Sequence, residues 1–553
     1  MTNFGARLSA LPHADRVLLK AMIAAALGLL GLGVALGLMT ALARAGLIAP
    51  EPDQGYAALT LHSTAAFFYW LYLGQSALLL AFAAADHTGP GRIALAPLAW
   101  FGFALMLVGF ALNAAGTLAG EPLLYDGPPE LATESRGAAG IFYLGYIALA
   151  LGLIGVASAA IATAFAPKLA GRIGAWSTIS FGAVVWAGLL VVSALAALNA
   201  FLPAAIWAFG GGTLPIDHSV GWHLLFHNMH YLPLIGTLLT WYVLVGELTG
   251  VTSLFGSRFS KLVFCLYLVF VPPTSLYHMF LEPGLAPIVR LIGSLLSLFI
   301  SVPTVAAFLL LIASLEASAR ARGARGLFGW IGMLPWRDPA MSAIGMAVVN
   351  LAIGGALSFV LIQERLAPLL SDTFFVPGYF HFLTIGAVSL TLLAAFCRVI
   401  PALNGGQLRL ASLLARLPYA LTLGLILFGG AGVLAGLRGM PRRVLDAGYD
   451  GASPAVWASL STWLGVGGAI MTLALALYVG TLLVSLMPGR VRPMPTLTPH
   501  ALSTMTADAA LSKPAWSGPL SVIVLVGAMV ALTIVAFRLM QSLPIAAIGG
   551  GGH

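Results

Sequence analysis

The chain has 553 residues, 60% of them hydrophobic and 8% charged, with a formal net charge of +8. Soluble domains carry about 25% charged residues, so this composition excludes a large soluble enzyme and indicates a polytopic membrane protein. The positive excess is scattered over short loops, which argues against a nucleic-acid partner and for membrane orientation.

Apolar runs of about 17–25 residues or more read as membrane spans. In chain order they predict thirteen helices, over 17–44, 57–85, 93–118, 137–166, 174–203, 219–247, 260–281, 286–315, 340–363, 374–399, 411–437, 457–487 and 518–541. The expected fold class is therefore all-α, a polytopic membrane helix bundle. The first run is too long for a removable signal peptide and lacks a small-residue cleavage site. Residues 1–486 form one membrane domain of twelve helices. Residues 487–516 are polar and proline-bearing, and read as a cytoplasmic linker to a last helix and glycine-rich tail over 517–553.

Basic residues set the topology. Arg7, Arg16, Lys20, Lys168, Arg172, Arg258, Lys261, Arg320, Arg322, Arg325 and Arg337 fall on one side if the N-terminus is cytoplasmic. Glu51, Asp53, Glu121, Asp126, Glu130 and Glu134 then fall outside, and thirteen spans leave the C-terminus outside. Such acidic outer loops suit steering of a basic soluble partner. Cys265 and Cys397 sit in separate apolar runs and read as small core residues.

Ionisable residues within spans usually face a bundle interior and mark function. His62, His223, His227, His230, His278 and His381 all lie in predicted spans. At a rise of ~1.5 Å per residue, His62 and His381 both sit roughly 8–10 Å below the outer surface. On the sixth predicted helix, His223, His227, His230 and Tyr231 share one stripe at helical spacing. On the tenth, "FVPGYFHF" sets Tyr379 and His381 about 200° apart around the helix, so that one helix can serve two sites. Imidazoles without nearby carboxylates suit neutral metal ligation. Two of them at equal depth, His62 and His381, suit axial ligation of a haem. Arg442 and Arg443 of "GMPRR" are candidate cations for its propionates.

Several stretches are similar to subunit I of the haem–copper oxidase superfamily, nearest its B-type branch of cytochrome c oxidases. They are "LTLHSTAAF", "FLEPG", "ASLEASARARGARGLFGWIGMLPW", "FVPGYFHF" and "GMPRR", in the family's order. The resemblance implies a haem–copper oxidase subunit I-like bundle, with a low-spin haem on His62 and His381 and its propionates at Arg442 and Arg443. It also implies a copper ligand at His227 and a redox-active, crosslinked tyrosine at Tyr231. Three positions depart from the family pattern. Asn228 stands where a proline is usual, Tyr277 replaces the first of a His-His copper-binding pair that ends at His278, and Tyr379 replaces the ligand of the high-spin haem.

These residues leave three expectations. In the first, Tyr379 holds a second haem, and His227 and His278 hold copper or iron with help from Tyr277, His230 or His223, for reduction of O2. In the second, oxygen donors favour a non-haem iron, as in nitric oxide reductases, and the substrate is NO. In the third, the catalytic centre is degenerate and the chain is a b-type electron-transfer cytochrome. A transporter is disfavoured, because paired broken-helix repeats are missing. Ser294, Ser297, Ser301 and Thr304 on the eighth helix read mainly as packing residues. The expected donor is a cupredoxin-like subunit II or a cytochrome c on the outer face, in a bacterial inner membrane.

Overall fold

The computed structural model describes residues 4–487 apart from 87–90, 121–122, 133–134, 217, 250–256, 275–286, 362–365 and 446–447; at 220, 227–232, 272–274, 287, 289–291, 293–300 and 450 it describes backbone alone. A short helix, α1 (Phe4–Ser9), precedes α2 (His13–Arg44). The second crossing is composite: α3 (Pro52–Ser63), a π-helical segment (Thr64–Tyr69) and α4 (Trp70–Ala85). There follow α5 (Ala96–Ala119), α6 (Arg136–Leu169), α7 (Thr178–Ala208), α8 (His218–Thr249), α9 (Ser257–Thr274) and α10 (Pro287–Ala321).

After α11 (Gly329–Gly332), α12 (Pro339–Leu361) and α13 (Ala367–Leu370), a second composite crossing is built from α14 (Phe375–His381), a π-helical segment (Phe382–Ser389) and α15 (Leu390–Asn404). The bundle ends with α16 (Ala411–Leu414), α17 (Leu417–Leu437) and α18 (Ala455–Leu486). Ten of these crossings are long and apolar enough to span a membrane among the described residues. The helices α8 and α9 follow the sixth and seventh predicted spans, the latter as far as Thr274. The thirteenth predicted span and the linker before it lie outside the described residues.

The Pro52–Ala85 crossing occupies the middle of the bundle, and every residue of α4 is buried. A helix surrounded on all sides has no polar face, which explains why its sequence is apolar throughout. Three polar groups of the crossing bond to neighbouring helices. Tyr69 donates to Asn113 Oδ1 at 2.6 Å, Trp70 Nε1 to Ser389 Oγ at 2.8 Å, and Gln75 Oε1 accepts from Trp186 Nε1 at 3.0 Å. Without water in the bilayer core, each such pair satisfies groups that would otherwise cost several kcal/mol.

Close backbone contact sets the second composite crossing against α17. A Cβ on Gly378 would lie 2.6 Å from Val433 N and 2.9 Å from Gly429 O, so only glycine permits this approach. Small residues at such crossings let membrane helices pack by van der Waals contact. On one side, therefore, α2, α3, α14, α17 and α18 close around a common space.

Candidate haem cavity

That space is an open cavity of about 1400 Å³, solvent at its mouth included. His62 and His381 face each other across it, with ring centres 6.5 Å apart and ring planes within 10° of parallel. Each ring is held by its other nitrogen. His62 Nδ1 bonds the Gly33 carbonyl and His381 Nδ1 the Pro377 carbonyl, both at 2.7 Å. A carbonyl can only accept, so Nδ1 carries the proton and Nε2 keeps its lone pair.

Two imidazoles ligating opposite faces of one iron stand roughly 6 Å apart between ring centres, from two metal–nitrogen bonds of about 2 Å and about 1 Å from each nitrogen to its ring centre. The observed spacing, the parallel planes and the backbone-fixed tautomers all fit a bis-imidazole iron centre. A backbone acceptor on the outer nitrogen is also how ligating histidines are usually oriented. The His62 ring lies so close to α2 that a Cβ on Gly37 would meet its Cε1 at 2.6 Å.

Both histidines sit where an α-helix gives way to a π-helical segment. His62 lies one residue before Ser63, the last of α3, and His381 is the last residue of α14. Widened turns of this kind are rare and gather at functional sites. Phe428 packs on His381 at 4.7 Å between ring centres. Phe67, Phe226 and Phe380 form an aromatic wall on the side facing α8, with Phe67 5.1 Å from Phe380 and 5.9 Å from Phe226.

Arg442 and Arg443 line the mouth. Their loop is tied to the segment before α14: Phe374 N donates to Met440 O at 2.7 Å, Arg442 N to Asp372 O at 3.1 Å, and Thr373 and Pro441 form an antiparallel bridge. Arg442 Nη2 pairs with Asp372 Oδ1 at 3.0 Å, and Arg443 Nη2 with Asp126 Oδ2 at 2.9 Å. Burial works against the charge on Arg443, but Asp126, Tyr125 and Asp372 together more than offset it and raise its pKa above the ordinary guanidinium value. Asp126 is held in turn through its backbone, whose carbonyl meets His218 Nε2 at 2.9 Å.

Tyr379 does not line this cavity. It packs with Phe375 and with aliphatic side chains of α12, α13 and α17, among them Val360, Leu370, Val433 and Leu437. His223 is half-buried on α8. The helix backbone of α8 runs through His227, His230 and Tyr231, whose side chains lie outside the description, as do Tyr277 and His278 entirely. Among the described residues no group of three His, Cys, Asp or Glu side chains is placed to hold a metal ion. Glu316 is paired with Arg320 at 2.6 Å.

Sequence reasoning missed Arg44. It is the last residue of α2, lines the cavity and reaches the Arg442 carbonyl at 2.5 Å. A basic residue at a span end reads as an interfacial anchor, and nothing local distinguishes this one.

The many-helix bundle and its enclosed histidine pair define a multi-pass membrane protein with the architecture of a haem–copper terminal oxidase. A solved structure described as a heme-copper terminal oxidase dimer superimposes with a TM-score of 0.79 over 98% of this chain and 94% of that one, at 22% identity. The sequence matches the family of cytochrome c and quinol oxidase polypeptide I over residues 17–470, and the chain belongs to that family. It is 31% identical over 313 residues to cytochrome c oxidase subunit 1 of Thermus thermophilus, covering 54% of each protein. It is 30% identical over 171 residues to cytochrome c oxidase polypeptide 1 of Halobacterium salinarum, covering 30% of this chain and 25% of that one. The matched part thus spans about half the length of the first relative and a quarter of the second.

Proposed function

We propose that the chain is a respiratory haem protein of the cytochrome c oxidase subunit I kind, passing electrons from an outer donor through a low-spin haem on His62 and His381 to an altered centre that reduces O2. The observation that carries this reading is the imidazole pair, 6.5 Å apart and near-parallel, in a cavity with arginines at its mouth. A haem held there supplies one-electron redox chemistry. The chain's own contribution is to fix both ring orientations from the backbone, to surround the site with apolar walls, and to gather positive charge at the mouth. Arg442 and Arg443 would hold the acidic substituents of the haem. The aromatic wall of Phe67, Phe380 and Phe226, the last from α8 itself, sets that helix beside this site, and His227 of α8 is assigned to a second metal, copper or iron, with His278. His223 and His230 are its possible replacement ligands, and Tyr231 and Tyr277 its redox-active or coordinating partners. Tyr379, on the other flank of the same crossing, is assigned to a high-spin haem.

One observation favours a second reading. Tyr379 is packed among aliphatic side chains, an environment in which a tyrosine serves equally as core. The chain is then a b-type electron carrier with a degenerate catalytic centre. The nitric oxide reductase reading rests on the oxygen donors at Tyr277 and Tyr379 and takes a non-haem iron. Two haems per chain in a pyridine haemochrome assay support a catalytic subunit, and one supports the carrier. The donor side is the outer face, served by a cupredoxin-like subunit II or a cytochrome c, with the N-terminus in the cytoplasm and the C-terminus outside a bacterial inner membrane. Residues 1–486 are the subunit I-like domain, followed by a cytoplasmic linker over 487–516 and a final transmembrane helix and tail over 517–553.

A further inference from the structure

Where α6 stops and α7 and α9 begin, positive charge gathers without a counter-charge. Lys168 stands in the last turn of α6, Arg172 in the connection to α7, and Arg258 and Lys261 in the first turns of α9. The starts of α7 and α9 are joined, since Thr178 Oγ1 donates to Ser257 Oγ at 3.1 Å. None of the four cations has an Asp or Glu within ion-pair distance among the described residues. Asp86, the acid that reaches the start of α7, is occupied there by the Ser177 hydroxyl and by the backbone N–H and hydroxyl of Ser180.

Trp176 fixes two of these cations. The Lys168 ammonium lies over its ring, 4.4 Å from the centre, and the Lys261 ammonium donates to its carbonyl at 2.6 Å. The indole is itself anchored: its Nε1 donates to Ala164 O at 2.9 Å, and Phe165 packs against it edge-on. An ammonium has three N–H donors. Lys261 spends one of them on the described residues and Lys168 none, so unused donors from both surround one tryptophan. Other basic residues are spent within the protein: Arg320 pairs with Glu316, Arg398 with Asp338, and Arg7 donates to Ala85 O.

Apolar side chains continue the site along the bundle. Arg258, Leu262 and Val269 recur at helical spacing on one stripe of α9, and the two apolar residues are 55% and 61% exposed. A charged end beside an outward apolar stripe matches the two parts of a lipid. Tryptophan and lysine favour the membrane–water boundary, where lysine stems lie along apolar surface, and basic pockets between helices take anionic headgroups. We infer that the junction of α6, α7 and α9 is a site for an anionic phospholipid. Its phosphate lies between the Lys168 and Lys261 ammoniums, Arg172 and Arg258 add charge, and an acyl chain runs along Leu262 and Val269. A soluble acidic partner would meet the cations but leave the apolar stripe unused. The site is independent of what the histidine cavity holds.

The test is native mass spectrometry of the full chain in detergent, titrated with phosphatidylglycerol and, separately, with phosphatidylcholine of the same acyl chains. Wild type is expected to prefer phosphatidylglycerol. Lys168→Gln with Lys261→Gln should lower that preference roughly thirtyfold, about fivefold for each lysine. Arg322→Gln with Arg325→Gln, on the exposed connection between α10 and α11, should leave it unchanged. Equal falls in the two double variants would mean that only net charge matters and would overturn the inference. So would a preference that survives loss of both lysines, or one missing from wild type. Displacement of phosphatidylglycerol by inorganic phosphate would make this an ion site and overturn the lipid assignment. Should the double lysine variant not accumulate, Lys168→Gln and Lys168→Arg decide: a fall in the first alone supports the site, and any other pattern overturns it.

Discussion

Arg443 reaches Asp126 at 2.9 Å across 317 residues of sequence, bonding the loop after α17 to the loop between α5 and α6. The pair is half-sheltered, with side-chain exposures of 39% and 12%. With the Arg442–Asp372 pair, it gives the arginine loop two ionic ties to other parts of the chain.

Removing one partner of that pair leaves the other charged and partly desolvated. Asp126→Asn and Arg443→Gln are each expected to cost roughly 1–2 kcal/mol, between the values for exposed pairs and for charged hydrogen bonds. The double variant should cost less than the two singles summed. Thermal unfolding in detergent, run as a double-mutant cycle, checks this; strict additivity would mean that the two side chains do not interact in the membrane protein.

Gly37 provides a test of ring placement that leaves both histidines in the sequence. A Cβ there would stand 2.6 Å from His62 Cε1, closer than atoms tolerate, so Gly37→Ala must push either the ring or α2. The overpacking is expected to cost about 1–3 kcal/mol and to reduce haem content or broaden the low-spin absorption band. A variant with wild-type spectrum and stability would show that the ring does not occupy this position.

Tyr379 separates the two functional readings. With a catalytic centre, Tyr379→Phe should remove one of two haems per chain while the His62 and His381 spectrum persists. Full haem content and turnover in that variant would leave Tyr379 as a core residue beside Phe375 and Leu370, and would favour the electron-carrier reading.

Much of this architecture was legible in the sequence, for a physical reason. A bilayer demands about 20 apolar residues per crossing, and the predicted spans over 17–44, 137–166 and 457–487 fall within or nearly within α2, α6 and α18. The pairing of His62 with His381 was legible too, because an imidazole in a uniformly apolar run stands out and helical rise converts position into depth. The π-helical segments after both histidines were not. One widened turn leaves no periodic mark in a stretch such as "TAAFFY", where every residue is buried. Nor was Arg44, whose importance depends on a loop 397 residues away in sequence. Asp372 and Asp126 read as outer-loop acids, and only the fold shows that each meets an arginine of the cavity mouth.

The central claim is that one iron is gripped between the imidazoles of residues 62 and 381. Electron paramagnetic resonance of the oxidised purified chain, alongside His62→Ala and His381→Ala, tests it most directly. The account predicts a low-spin ferric signal of bis-imidazole type in the unaltered protein and its loss in either single variant. The same signal surviving in both variants would contradict it.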